Sequence, residues 1–198
     1  MTVVDSLHEI AKWLNQTSCK KYEFKVPPND PKTRIDDTYE YKKAHPYAFP
    51  LYIPTKDRVP PGIISNMPSV CVQLVQGEDD NVKLDRSLTI NLGLSIWNPG
   101  IHAQDIYYPK GKEPETPEKF NVGSYGWMDA WNFADDILRR IGSTSNIGNL
   151  EIDKSKKVSF GPYKEQEAIP DFYPCWYAWI QFSVSTDFLR NSDVEKFL

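Results

Sequence analysis

Residues whose side chains ordinarily carry chemistry are few in this chain, and they stand apart. The three histidines, His8, His45 and His102, lie at no metal-ligand spacing from one another and near no cysteine. Neither a zinc site nor a nucleophile–base pair follows from them. Cys19, Cys71 and Cys175 form no C-x-x-C pair, so the chain reads as free of disulfides. Phosphate loops, dinucleotide fingerprints and G-x-S-x-G elbows are missing from the sequence. Gly123-Ser-Tyr-Gly126 lacks the preceding strand of a nucleophile elbow and reads as the cap of a helix. Glu78-Asp79-Asp80 is the densest acidic cluster, yet a calcium loop needs acids at alternate positions and a closing Glu. It reads as a solvated hairpin tip, and Asp135-Asp136 as helix surface. No cofactor and no metal is expected, and no enzymatic activity.

The aromatic residues are more informative. In the last strand, Pro174-Cys-Trp-Tyr-Ala-Trp-Ile-Gln-Phe-Ser-Val-Ser185, side chains alternate between two faces. Trp176, Ala178, Ile180, Phe182 and Val184 make one apolar face. Tyr177 and Trp179 begin the other, which turns polar at Gln181, Ser183 and Ser185. A solvated sheet face has little use for two large rings at one end, so a partner or a ligand is expected there. Trp97, at the end of another alternating strand, is a third outward ring. Trp97, Tyr177 and Trp179 together could make the stacking platform of a carbohydrate-binding module.

Elements that would position these rings can be read from periodicity. Val4, Leu7, Ile10, Ala11 and Leu14 recur at helical spacing, with Thr2 or Asp5 as the cap. A short strand follows, with Tyr22, Phe24 and Val26 on one face. Residues 27–68 hold nine of the sixteen prolines together with Tyr39, Tyr41, Tyr47 and Tyr52. Proline fixes φ and removes donors, so this stretch reads as an extended arm that orders against something. Residues 69–75 and 87–97 form a hairpin with Gln76–Asn81 as its turn, and Leu88, Ile90, Leu92, Leu94 and Ile96 face one way. A second irregular insertion covers 98–123. A helix over about 125–141 is expected to bury Trp127 or Met128, Trp131, Ala134, Leu138 and Ile141, capped by Ser124 and stopped at Gly142. Short strands at 149–153 and 157–160 precede the last one. The pattern predicts one α+β domain over 1–198, a mostly antiparallel sheet with two main helices on one face and two long irregular insertions.

Composition narrows the partners. The chain has 198 residues, 25% of them charged, and a formal net charge of −4. Without a Lys/Arg cluster it is poorly suited to gripping nucleic-acid phosphates. It has no apolar run near the ~18 residues of a membrane span and no signal-peptide pattern at Met1, so it reads as a soluble, cytosolic product.

One order of features resembles a known family. The amphipathic first helix is followed by Pro68-Ser-Val-Cys-Val-Gln-Leu-Val-Gln-Gly-Glu-Asp-Asp80 and Leu88-Thr-Ile-Asn-Leu-Gly-Leu94. A helix over Asp129–Ile141 and Phe172-Tyr-Pro-Cys-Trp-Tyr-Ala-Trp-Ile-Gln-Phe182 complete it. Across 1–26, 68–98 and 124–186 the chain resembles the tail terminator (tail-completion, minor tail) proteins of long-tailed bacteriophages. The arm at 27–68 and the insertion at 98–123 depart from that family's compact form. The resemblance implies a structural virion protein at the tail–neck junction, assembled in the host cytoplasm as a homo-hexameric ring. Such a ring caps the tail tube, ends its elongation and joins the head-completion (neck) proteins, with DNA only as passing cargo and no membrane. Closed rings need two different patches on each subunit. Tyr177, Trp179 and Trp97 are candidates for one, and Tyr39, Tyr41, Tyr47 and Tyr52 for lashing onto a neighbour. Glu78, Asp79 and Asp80 are candidates for a tube- or lumen-facing acidic tip.

Overall fold

A computed structural model describes residues 1–30, 32–33, 41–82, 84–99 and 126–187. Helix α1 spans Val3–Gln16 and α2 Ser18–Lys21. Strands β1 (Phe24–Lys25) and β2 (Lys43–Ala44) pair as a small antiparallel ribbon. Then come β3 (Tyr47–Pro50), β4 (Ser69–Asp80) and β5 (Asp85–Trp97). Helix α3 (Trp127–Ser143) is followed by β6 (Asn146–Ile147), β7 (Leu150–Ile152), β8 (Ser159–Pro162) and β9 (Cys175–Asp187). The main sheet has the order β3-β4-β5-β9-β7-β6, with β8 also on β9. Among the described residues β3–β4 is the one parallel pair, and the other pairs are antiparallel. The fold is α+β, with both long helices against one face of a mostly antiparallel sheet.

Alternation explains the core. Leu88, Ile90, Leu92, Leu94 and Ile96 of β5 and Ala178, Ile180, Phe182 and Val184 of β9 are all buried under the helices. Antiparallel register sets Leu92 against Ile180 and Ile90 against Phe182, so the two rows interlock. On α1 the buried stripe is Leu7, Ile10, Ala11 and Leu14. Thr2 caps the helix reciprocally: its Oγ1 accepts from Asp5 N at 3.1 Å, while Asp5 Oδ2 accepts from Thr2 N at 3.1 Å. Val4, expected inside, is exposed near the helix start.

Three readings of the sequence need correction. The first concerns α3, which buries Ala130, Phe133, Ala134, Ile137 and Ile141, leaving Trp127 and Met128 exposed and Trp131 and Leu138 half-buried. The stripe at 130, 133, 134, 137 and 141 meets the sheet squarely, whereas the bulky residues chosen from sequence lie on its flank or outside. The helix ends at Ser143, one residue past Gly142, and begins after Gly126; Ser124 lies outside the described residues. The second concerns Gln76–Asn81, which is mostly not a turn: β4 continues to Asp80 past an irregularity between Leu74 and Gln76. Gly77 lies close over Leu88 in this stretch: a Cβ there would lie 3.1 Å from Leu88 Cδ2, which would have to give by a few tenths of an ångström.

The third correction is Asp136, read as surface but only 4% exposed. Its Oδ2 accepts from Ser18 Oγ at 2.9 Å and Arg140 Nε at 2.8 Å, and its Oδ1 from Lys21 Nζ at 2.6 Å. This clamp ties α2 to α3. Burial by itself would raise the carboxyl pKa, but the bonds from Lys21, Arg140 and Ser18 outweigh it and hold the group at about 2, below 3.8. A folded-state pKa below the unfolded one gives stability that is full above about pH 4 and lost as pH falls toward 2. A shift of this size corresponds to roughly 2 kcal/mol. Asp136→Asn is therefore expected to lower unfolding free energy by about 2 kcal/mol at pH 7. In urea melts across pH, its deficit against the wild type should shrink below pH 4; a pH-independent deficit would contradict the clamp.

Candidate functional site

The sheet face away from the helices carries the outward rings, and the chain itself partly covers them. Trp179 sits opposite Gly93 on β5 and Gly161 on β8. Its indole lies against Gly161, where a Cβ would stand 3.1 Å from Cζ2, and Nε1 donates to Pro162 O at 3.0 Å. Tyr177 forms a triangle with Phe172 and Tyr163, centroids 5.5 and 6.4 Å from its own. Burial, together with the neighbouring Cys175 thiol, pushes its hydroxyl up to about 12. Between these rings and Leu51–Ile53 lies a hollow of about 460 Å³, floored by Cys71, Gln73, Asn91, Gly93 and Ser95. The floor is quiet chemically: Asn91 Nδ2 donates to Gln73 Oε1 at 3.1 Å.

Trp97 does not join this surface. It is 4% exposed, with the Tyr41 ring 6.2 Å away, so the proline-rich segment covers it. A flat three-ring platform of Trp97, Tyr177 and Trp179 is therefore not formed. The arm tyrosines also separate. Tyr39 lies outside the described residues. Tyr41 is half-buried beneath Lys25, whose Nζ is 4.4 Å from the ring centre. Tyr47 is half-buried in β3 and packs on Phe49 at 4.8 Å. Of the three that are described, Tyr52 stands in water, 67% exposed. Residues 41–50 thus order against their own core rather than reaching away.

The acidic residues lie in the β4–β5 ribbon that leads to the turn. Glu78, Asp79 and Asp80 are exposed and pair in register with Ser87, Arg86 and Asp85. Arg86 grips Asp79 with both Nε and Nη2, at 2.6 and 2.8 Å, and that bond keeps the Asp79 carboxyl below its usual range. Glu78 accepts from Gln76 Nε2 at 2.8 Å, and Asp80 from Val82 N at 2.9 Å. Among the described residues no group of three His, Cys, Asp or Glu side chains is placed to hold a metal. No helix among them is long and apolar enough to cross a membrane.

A larger apolar surface escaped the sequence reading. The loop after β8 exposes Tyr163, Ile169, Phe172 and Tyr173, beside Trp127 of α3 and Phe160 of β8. Tyr163, Ile169, Phe172 and Trp127 border a groove of about 390 Å³ whose floor includes Ala130, Trp131, Cys175 and Trp176. Its signal was present in Ile169-Pro-Asp-Phe-Tyr-Pro174, too apolar for a plain turn. The loop turns back tightly: Glu165 and Ala168 exchange both backbone bonds, with Gln166 and Glu167 at φ 45° and 73°. Such left-handed positions normally go to Gly or Asn.

Asn98 anchors the inner wall of this groove. Its backbone N donates to Pro174 O and its carbonyl accepts from Trp176 Nε1 at 2.8 Å. Its side chain bridges Lys25 Nζ, at 3.0 Å, and Asp129 Oδ2, at 2.6 Å. Gly126 passes so close that a Cβ there would overlap the Asn98 carbonyl oxygen and the Trp176 indole nitrogen. With this geometry in place, comparison with known proteins adds no identity: no family model matches the chain, and no curated protein matches its sequence.

Gly126→Ala should force the start of α3 away from Asn98 and cost roughly 1–3 kcal/mol. Loss of the Trp176 bond should also shift the tryptophan emission. An unchanged denaturation midpoint and spectrum would show that the contact is not tight.

Proposed function

We propose that this chain is a structural virion protein that caps a phage tail tube as a ring of like subunits and presents another surface to the neck proteins. The observation that carries the reading is the amount of large apolar surface left in water. Tyr52, Trp127, Phe160, Ile169 and Phe172 are all exposed. Concentrations of such side chains on a stable core mark protein–protein contact. The order of elements that underlies the resemblance to tail terminators supports the same reading. The projecting β4–β5 ribbon, with Glu78 and Asp80 toward its end, suits a lumen through which DNA passes without sticking. In this reading the chain performs no catalysis and takes no cofactor.

Self-assembling tube protein supplies the test. Added during polymerisation, the chain should stop tube growth and leave ring-shaped densities at tube ends in negative stain. Tubes that elongate unchanged and bare ends would overturn the proposal. Glycan-array binding abolished by Trp179→Ala would instead favour a carbohydrate-binding module.

A further inference from the structure

Some of the exposed apolar side chains border two grooves at opposite edges of the sheet. One, of about 390 Å³, lies at the β8 edge and is bordered by Trp127, Tyr163, Ile169 and Phe172. The other, of about 400 Å³, lies at the β3 edge between α1 and the segment after β3, bordered by Val4, Phe49, Leu51, Tyr52 and Pro60. Between them, over β4, β5 and β9, lies the hollow already described, with Leu51 and Tyr52 on one rim and Tyr163 and Tyr177 on the other.

Their charges are complementary. Asp171 is the acidic residue lining the β8-edge groove, whereas Arg58, with His8, lines the β3-edge groove. The loops that carry these two charged residues agree in sign, while α1, the other wall of the β3-edge groove, adds Asp5 and Glu9 against Lys12. Residues 162–174 set Lys164 against Glu165, Glu167 and Asp171, a net −2, and residues 50–62 set Lys56 and Arg58 against Asp57, a net +1. Strand addition at the β3 edge is ruled out. Asn15 occupies the outward backbone of Ala48, donating to its O at 3.1 Å and accepting from its N at 2.8 Å, and Pro50 has no N–H. Contact at this edge has to be made by side chains.

We propose that the occupant of the β8-edge groove is the β3 edge of a second copy of this chain, so that copies join head to tail. Tyr52 and Leu51 of one copy seat between Ile169 and Phe172 of the next, and Arg58 meets Asp171. Each copy then keeps one groove free, which makes the contact heterologous and repeatable. The proposal deepens the ring reading and rests on it for the expectation that copies assemble.

Two variants at the most exposed positions separate the grooves: Tyr52→Glu blocks one and Ile169→Glu the other. Sedimentation velocity and native mass spectrometry should find wild type forming species larger than a dimer, and each variant alone associating at least ~10-fold more weakly. A one-to-one mixture of the variants retains a single intact pair of grooves, so it should form a dimer and nothing larger. As a check that does not depend on burying a charge, Arg58→Glu and Asp171→Arg should each weaken association, and the two in one chain should restore it. Wild type that stays monomeric at about 1 mM, variants that assemble as wild type does, or a mixture that yields no dimer would each overturn the proposal. The tail reading fails separately. If the mixture dimerises but wild type leaves tubes uncapped, the interface stands without the tail role; if both blocked variants still cap tubes, the reverse holds.

Discussion

The register between β5 and β9 is the constraint on which the rest of the molecule depends. The strands pair without interruption from Asp85 with Asp187 to Trp97 with Cys175. A slip of one residue by β9 would turn Ala178–Val184 out of the core and carry Tyr177 and Trp179 into it, while Leu88–Ile96 of β5 still faced the helices. Correct register gives α1 and α3 an apolar floor and leaves the rings on the far side, against β8 and the loop beyond it. The cost of burying the wrong face, many kilocalories of exposed aliphatic surface, makes the register self-selecting.

Two polar clusters then fix parts that alternation cannot reach. Asp136 holds Ser18 and Lys21 to α3, and Asn98 holds Lys25, Asp129, Pro174 and Trp176 around one residue. Both join segments far apart in sequence. Buried polar groups of this kind add specificity because an alternative packing would leave them without partners. The β8-edge groove shares Trp176 with the Asn98 cluster, so its exposed aromatic residues stand against a fixed floor.

Legibility in the sequence followed physical range. The first helix, the hairpin and the last strand were readable because their patterns are local and have a fixed period. The short strand at Phe24 was readable as well, but its partner β2 and the edge strand β3 were not, since Tyr47–Pro50 is held by a parallel partner and by Asn15, distant in the chain. On α3 the weight given to Trp127 and Trp131 rotated the expected stripe away from Phe133 and Ile137. Trp97 and Trp179 had identical signatures as outward rings, yet Tyr41 buries one while the other remains at a hollow. The side chain that decides such a case comes from another segment, and a strand pattern contains no trace of it. The groove at 162–174 was missed because its aromatics follow no period.

Asn15 has a consequence for what β3 can recruit. By occupying the main-chain groups of Ala48, it removes one template for extending the sheet, the outward edge of β3. An unguarded edge accepts almost any extended segment, because the main chain is the same in every protein. With that edge closed, whatever meets β3 is selected by the shape and charge of side chains.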